Sequence, residues 1–182
     1  MRYVSLVVVM LFLSASAQPV EVAPLSRQVL ILTKVLSHSE KITKETGDLR
    51  FGILGDKNDF VSRTLQKTMF ESIKENQKAR VGQRKIAPVL VDISKLQSAK
   101  VHVLYVTPGM KKHLEKIITH SRKKKILTIS GVAEHLEKGV SIGILPKDKA
   151  YQIVLNLTGA EQEEAQFDSA LHKLAKTMRS LN

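Results

Sequence analysis

The chain has 182 residues, and its 29 Lys and Arg against 17 Asp and Glu give a net charge of +12, which fits a solvated basic face or an anionic partner: nucleic acid, anionic lipid or an acidic protein surface. Only 4% of residues are aromatic and there is no Trp, so the stacking platforms of single-strand binders are missing, and no helix-turn-helix or zinc-finger pattern supports a nucleic-acid reading. With no cysteine, disulfides, thiolate metal sites and a cysteine nucleophile are excluded, and stability has to come from packing.

Met1 and Arg2 make a positive start, "VSLVVVMLFL" is an apolar core, and "SASAQ" places small residues before a cleavage point after Ala17. The core falls short of the roughly twenty apolar residues of a spanning helix. Residues 1–17 therefore read as a secretory signal, and no Cys follows to carry a lipid. Residues 18–182 read as a single exported α/β domain of net charge about +11 once Arg2 is removed, with no later segment apolar enough to span a bilayer.

After an extended lead-in, "PLSRQVLILTKVLSHSEKIT" puts Leu25, Val29, Leu32 and Leu36 at helical spacing, with Leu30, Ile31 and Val35 widening the stripe. A short buried strand, Leu49 to Leu54, ends at Gly55 and Asp56. The next helix, "FVSRTLQKTMFESIKE", repeats apolar residues at Val61, Leu65, Met69 and Ile73. "NQKARVGQRK" reads as a loop and "IAPVLVDI" as the second strand. "SKLQSA" holds about one helical turn with Ser94 as its cap. "KVHVLYVT" is the third strand, apolar enough to be covered on both faces.

Pro108 and Gly109 end that strand, and "MKKHLEKIITHSRKKK" is amphipathic through Met110, Leu114, Ile117 and Ile118, with many positive charges outside. "KILTIS" is the fourth strand, and Gly131 to Glu137 form a short helix. "VSIGILPKDKAYQIVLNL" reads as two strands joined across Pro146 to Lys149, an antiparallel hairpin. "FDSALHKLAKTMRSL" closes the chain as a helix through Phe167, Leu171, Leu174 and Met178. The order predicts a three-layer α/β sandwich: a central mixed, partly parallel sheet of about six strands with helices on both faces.

Chemical motifs are thin. "GILGDKND" lies between a strand and a helix, where backbone N–H groups bind anions, but the three glycines of a dinucleotide fingerprint are not there. It reads as a tight turn with Asp56 or Asn58 capping the helix. His38, His102, His113, His120, His135 and His172 are scattered without the i, i+4 pair and Glu of a zinc protease. His113 and His120, seven apart, share a helix face, and His102 reads as a hydrogen-bonded residue in or near the core. Ser130 precedes a Gly with His135 nearby, but no nucleophile elbow surrounds it, so it reads as a cap or turn residue. Arg122 to Lys125 suit a helix C-terminus, and Asn156-Leu157-Thr158 is a formal glycosylation sequon within a strand. No catalytic residue, metal or cofactor is expected.

Four stretches together resemble the YfiR-like family of periplasmic proteins: "RFGILGD", "AKVHVLYVT", "KILTISGVAEHLEKGVSIGILPKDKAYQIVLNL" and "FDSALHKLAK". The resemblance runs from about Pro24 to the end. It departs from the family pattern in an N-terminal helix without aromatics, in Val101 where many members have Cys, and in Gly139-Val140 where a Gly-Gly pair is usual. Without cysteine, redox sensing does not carry over.

The resemblance implies a periplasmic signalling inhibitor that is not an enzyme. Such a protein, often a homodimer, binds the periplasmic part of an inner-membrane diguanylate cyclase and holds it inactive, which restrains cyclic-di-GMP. The alternative is a small-ligand binding protein of the periplasm, in which Asp56, Asn58, Thr107, Gly109, Ser130 and Gly131 line a crevice at the C-terminal ends of the strands.

Overall fold

The computed structural model describes residues 25–76, 79–147 and 150–180; the expected signal segment, residues 1–17, lies outside them. The chain runs α1 (Leu25–Ser37), α2 (Glu40–Lys44), β1 (Leu49–Gly55), α3 (Phe60–Glu75), β2 (Arg80–Val81), β3 (Arg84–Asp92), a 3-10 helix (Ile93–Ser98) and β4 (Val103–Val106). A 3-10 turn (Lys111–His113) leads into α4 (Leu114–Lys124), then β5 (Leu127–Ser130), α5 (Ala133–Glu137), β6 (Ile142–Lys147), β7 (Ala150–Asn156), α6 (Leu157–Gln162), α7 (Ser169–Leu174) and β8 (Lys176–Met178).

All eight strands join one sheet in the order β2-β3-β1-β4-β5-β6-β7-β8. The five strands β3, β1, β4, β5 and β6 run parallel to one another, β2 is antiparallel to β3, β7 returns antiparallel to β6, and β8 runs parallel to β7. The expected mixed sheet with helices on both faces is the observed one. It has eight strands rather than about six.

The two additional strands are short, and each takes an open edge. Arg80–Val81 folds back on Lys85 and Arg84 across Gly82, inside the stretch expected as a loop. Beyond Lys85 the outer side of β3 has no partner strand among the described residues, which is where Pro88 is tolerated. At the other edge, the closing helix expected to run through Met178 stops at Leu174, and residues 176–178 pair with β7 instead. The sequon also sits differently. Asn156 ends β7 and caps α6, fully buried, with Nδ2 donating to the carbonyls of Leu136 (2.9 Å) and Val140 (3.3 Å).

Two apolar cores flank the sheet. On one face Val29, Leu32, Val35 and Leu36 of α1 pack with Met69 and Ile73 of α3, Leu171 of α7, and Phe51, Tyr105, Ile129 and Ile144 of the strands. On the other, Leu114, Ile117 and Ile118 of α4 and Leu96 of the 3-10 helix cover Leu54, Leu104 and Val106. β1, β3 and β4 thus give side chains to both cores, which explains their near-continuous apolar runs. Buried Arg84 pins the α2–β1 connection, donating to the carbonyls of Ile42, Gly47 and Asp48 and to the Glu45 carboxylate.

Candidate functional site

From β1 the chain moves outward to β3 and then returns past β1 to β4, so the winding reverses between β1 and β4. In sheets of this topology ligands sit outside the strand C-termini at that reversal. Asp56 follows β1, Thr107 follows β4 and Ser130 ends β5, so the six residues expected at this edge lie along three adjacent strands. Asp56, Thr107 and Ser130 are buried, while Asn58 and Gly109 are exposed and Gly131 is half-buried.

The edge is knitted by a relay of hydrogen bonds. The Asp56 N–H donates to Ser62 Oγ (3.0 Å), Ser62 Oγ lies 2.6 Å from Thr107 Oγ1, and Thr107 Oγ1 donates to the Leu54 carbonyl (2.8 Å). Asp56 Oδ1 accepts from the Asn58 N–H (2.9 Å), and Oδ2 faces Lys112 Nζ (3.2 Å) and His113 Nε2 (3.3 Å). The Asn58 N–H, then Lys112 and His113, hold the Asp56 carboxyl below the usual carboxylate range.

Asp59, rather than Asp56 or Asn58, caps α3 by accepting from the Ser62 N–H (2.7 Å). Gly109 is required beside it: its φ is +84°, and a Cβ there would stand 2.7 Å from Asp59 Oδ1. Likewise Asp92, not Ser94, caps the 3-10 helix.

Ser130 and His135 do meet. Ser130 Oγ lies 2.8 Å from His135 Nδ1, donates to the Val106 carbonyl (3.0 Å) and accepts from the Val132 N–H (3.2 Å), the last being the expected turn role. Both side chains are buried, and burial lowers the His135 pKa to about 4, so the imidazole is neutral. His113 and His120 do not act together: the first faces Asp56 and the second, inside α4, faces Gln97 Oε1 (3.2 Å). His102 precedes β4, with Nδ1 accepting from the Arg50 N–H (2.9 Å), a hydrogen-bonded position at the margin of the core. Lys125 closes α4 in the left-handed conformation and pairs with Glu164 (2.9 Å), so the basic run does terminate a helix.

Sequence periodicity missed the polar half of α3. Its inward stripe is Ser62, Gln66, Met69 and Ile73, and Val61 is 59% exposed. Gln66 Nε2 donates to the carbonyls of Ile53 (2.7 Å) and Val91 (2.9 Å), bridging β1 and β3. Glu163 was likewise unread. It is 1% exposed and accepts from the Thr128 N–H (2.8 Å), Thr128 Oγ1 (2.7 Å) and Ser141 Oγ, joining β5, the start of β6 and the end of α6. Burial outweighs those donors and pushes its pKa up to about 7.

These features define a doubly wound α/β domain whose C-terminal edge is closed by its own side chains. Residues 27–176 match the family described as DUF4154, YfiR/HmsC-like, and the chain belongs to that family. Its members are periplasmic regulators in cyclic-di-GMP signalling. No curated protein matches the chain.

Solved structures share the fold. A conserved domain protein of Vibrio cholerae O1 biovar El Tor superimposes over 85% of this chain and 60% of its own, at 15% identity and TM-score 0.64. An ABC domain of Streptococcus pneumoniae in complex with L-Trp gives TM-score 0.60 at 10% identity, and a ligand-free, open substrate-binding protein with adhesive properties from Clostridium difficile gives 0.58 at 12%, with the same coverages. The chain therefore spans about 60% of the length of each neighbour.

Proposed function

We propose that the exported protein binds and restrains the periplasmic part of an inner-membrane signalling protein, with a diguanylate cyclase as the first candidate. Family membership over residues 27–176 carries this reading. The state of the sheet edge supports it: Asp56, Ser62, Thr107, Ser130 and His135 are engaged with one another or with backbone groups. A regulator that favours one state of a two-state receptor needs a preformed surface and differential affinity. Phe60 and Val61, 71% and 59% exposed at the start of α3, put apolar side chains on this rim of the kind that anchor interfaces.

The test is capture from solubilised inner membranes with tagged protein starting at Gln18. The expected result is recovery of an integral protein bearing a cyclase domain, reduced by the pair Phe60→Ala and Val61→Asp. Repeated captures without any integral protein would remove the reading. The homodimer implied by the resemblance is read separately, by sedimentation of the purified protein.

A small-ligand reading draws on the fold of the substrate-binding neighbour. Under it Asp56, Asn58, Thr107, Gly109, Ser130 and Gly131 would hold the solute. Periplasmic binding proteins close two domains over their ligand, whereas here Lys112 and His113 already satisfy Asp56. Saturable calorimetric titration by an amino acid, lost on Asp56→Asn, would establish the ligand reading in place of the regulator.

A further inference from the structure

We infer that the groove between α1, β7 and α7 binds a small amphipathic carboxylate, an apolar chain ending in one anionic head. The groove lies on the α1 face of the sheet, three strands from the β1–β4 reversal, and the inference does not depend on the partner reading.

The groove encloses about 600 Å³, within the range of small-molecule sites. Its walls are Ile31 and Val35 of α1, Ile153 of β7, and Leu171 and Leu174 of α7. Leu30 and Leu174, 61% and 62% exposed, extend apolar surface along the opening. An apolar body is therefore required to dry these walls.

The head is specified by charge. Lys34, Lys147 and Lys176 line the groove, and among the described residues no Asp or Glu does. None of the three has an ion pair among the described residues. Three unpaired cations around one apolar groove select an anion over a neutral or cationic ligand.

Two buried polar atoms supply the second observation. Tyr151 Oη and His38 Nε2 belong to groove-lining residues, are shielded from solvent, and have no hydrogen-bond partner among the described residues. Buried groups left unmatched are costly, so a ligand that reaches one of them gains affinity. His38 is held through Nδ1, 2.9 Å from Asp168 Oδ2, and Asp168 itself caps α7. The imidazole is thus oriented by a carboxylate behind it while Nε2 stays free. A carboxylate accepts from the Tyr151 hydroxyl and from a lysine ammonium together.

The experiment is calorimetric titration of the protein from Gln18 with decanoate, with decanol as the neutral analogue, and with phosphatidylglycerol vesicles as the lipid arm. The expected result is saturable one-to-one binding of decanoate, with decanol about tenfold weaker. Lys34→Ala combined with Lys176→Ala, and separately Tyr151→Phe, each weaken decanoate about tenfold, the scale of one charge-assisted hydrogen bond. Both changes remove unpaired groups, so the denaturation midpoint should hold. Absent saturation, decanol binding as tightly, or decanoate affinity unchanged in the lysine variant overturns the inference. Binding to vesicles without binding of free decanoate overturns it as well, and assigns the lysines to a membrane surface.

Discussion

Glu163 and His135 are buried groups whose protonation opposes each other in the energetics of folding. The Glu163 pKa is raised to about 7 by burial, so between the ordinary carboxyl value near ~4.3 and about 7 only the folded chain keeps the proton. Its stabilising contribution is full at the acid end and is lost as pH rises through about 7. His135, lowered to about 4, behaves oppositely: between about 4 and ~6.5 only the unfolded chain takes the proton, so its contribution is lost as pH falls. Replacing Glu163→Gln removes the first effect. Urea denaturation at pH 4.5 and pH 8 should show the variant gaining on the wild type by on the order of 3 kcal/mol across that interval. A difference independent of pH would show that Glu163 ionises in the fold as it does in the unfolded chain.

Gly109 gives a second prediction at this scale. Gly109→Ala combines a left-handed backbone with a Cβ pressed on the Asp59 cap, and should lower unfolding free energy by roughly 2–3 kcal/mol. A loss under about 0.5 kcal/mol would contradict that packing. Sequence alone made Gly109 a strand terminator and Ser130 a turn residue, because such roles are local. The partners of Glu163, 22 and 35 residues away, are set by tertiary packing that no local pattern records.

Elements were legible where one apolar face meets one core. β1, β4, β5 and the β6–β7 hairpin lie where their apolar runs predict, α4 follows its stripe, and α1 does so except at Leu30, which is exposed. Reading failed where backbone needs overrode side-chain period. In α3, Ser62 and Gln66 turn inward because the ends of β1 and β3 leave carbonyls and an amide to satisfy, and Val61 is displaced to the surface. At the C-terminus, the free edge of β7 takes residues 176–178 as β8, ending α7 a turn early.

That ending is testable by contrast. In a continued helix Leu171 and Leu174 would share the core stripe, but Leu171 is 1% exposed and Leu174 62%. Leu171→Ala should cost about 2–5 kcal/mol, and Leu174→Asp within about 0.5 kcal/mol of zero. Comparable losses at both positions, measured by chemical denaturation, would mean that the helix continues.

At the scale of the molecule, the sequence resemblance and the family match over residues 27–176 agree, and the fold explains why so few residues looked chemical. The polar groups gathered at the strand C-termini satisfy each other rather than facing a ligand. The placement of the six residues at this edge was legible because loops after parallel strands follow from topology; the pairing of Asp56 with Lys112 and His113 was not, since it depends on how the 3-10 turn before α4 folds back on Asp56.

If the protein restrains a cyclase from outside the inner membrane, the decisive quantity is cyclic-di-GMP in cells lacking the protein. Its concentration should rise on deletion, return when the full chain is supplied, and stay high when the chain is supplied without residues 1–17. An unchanged concentration on deletion, or restoration by the form lacking residues 1–17, would contradict it.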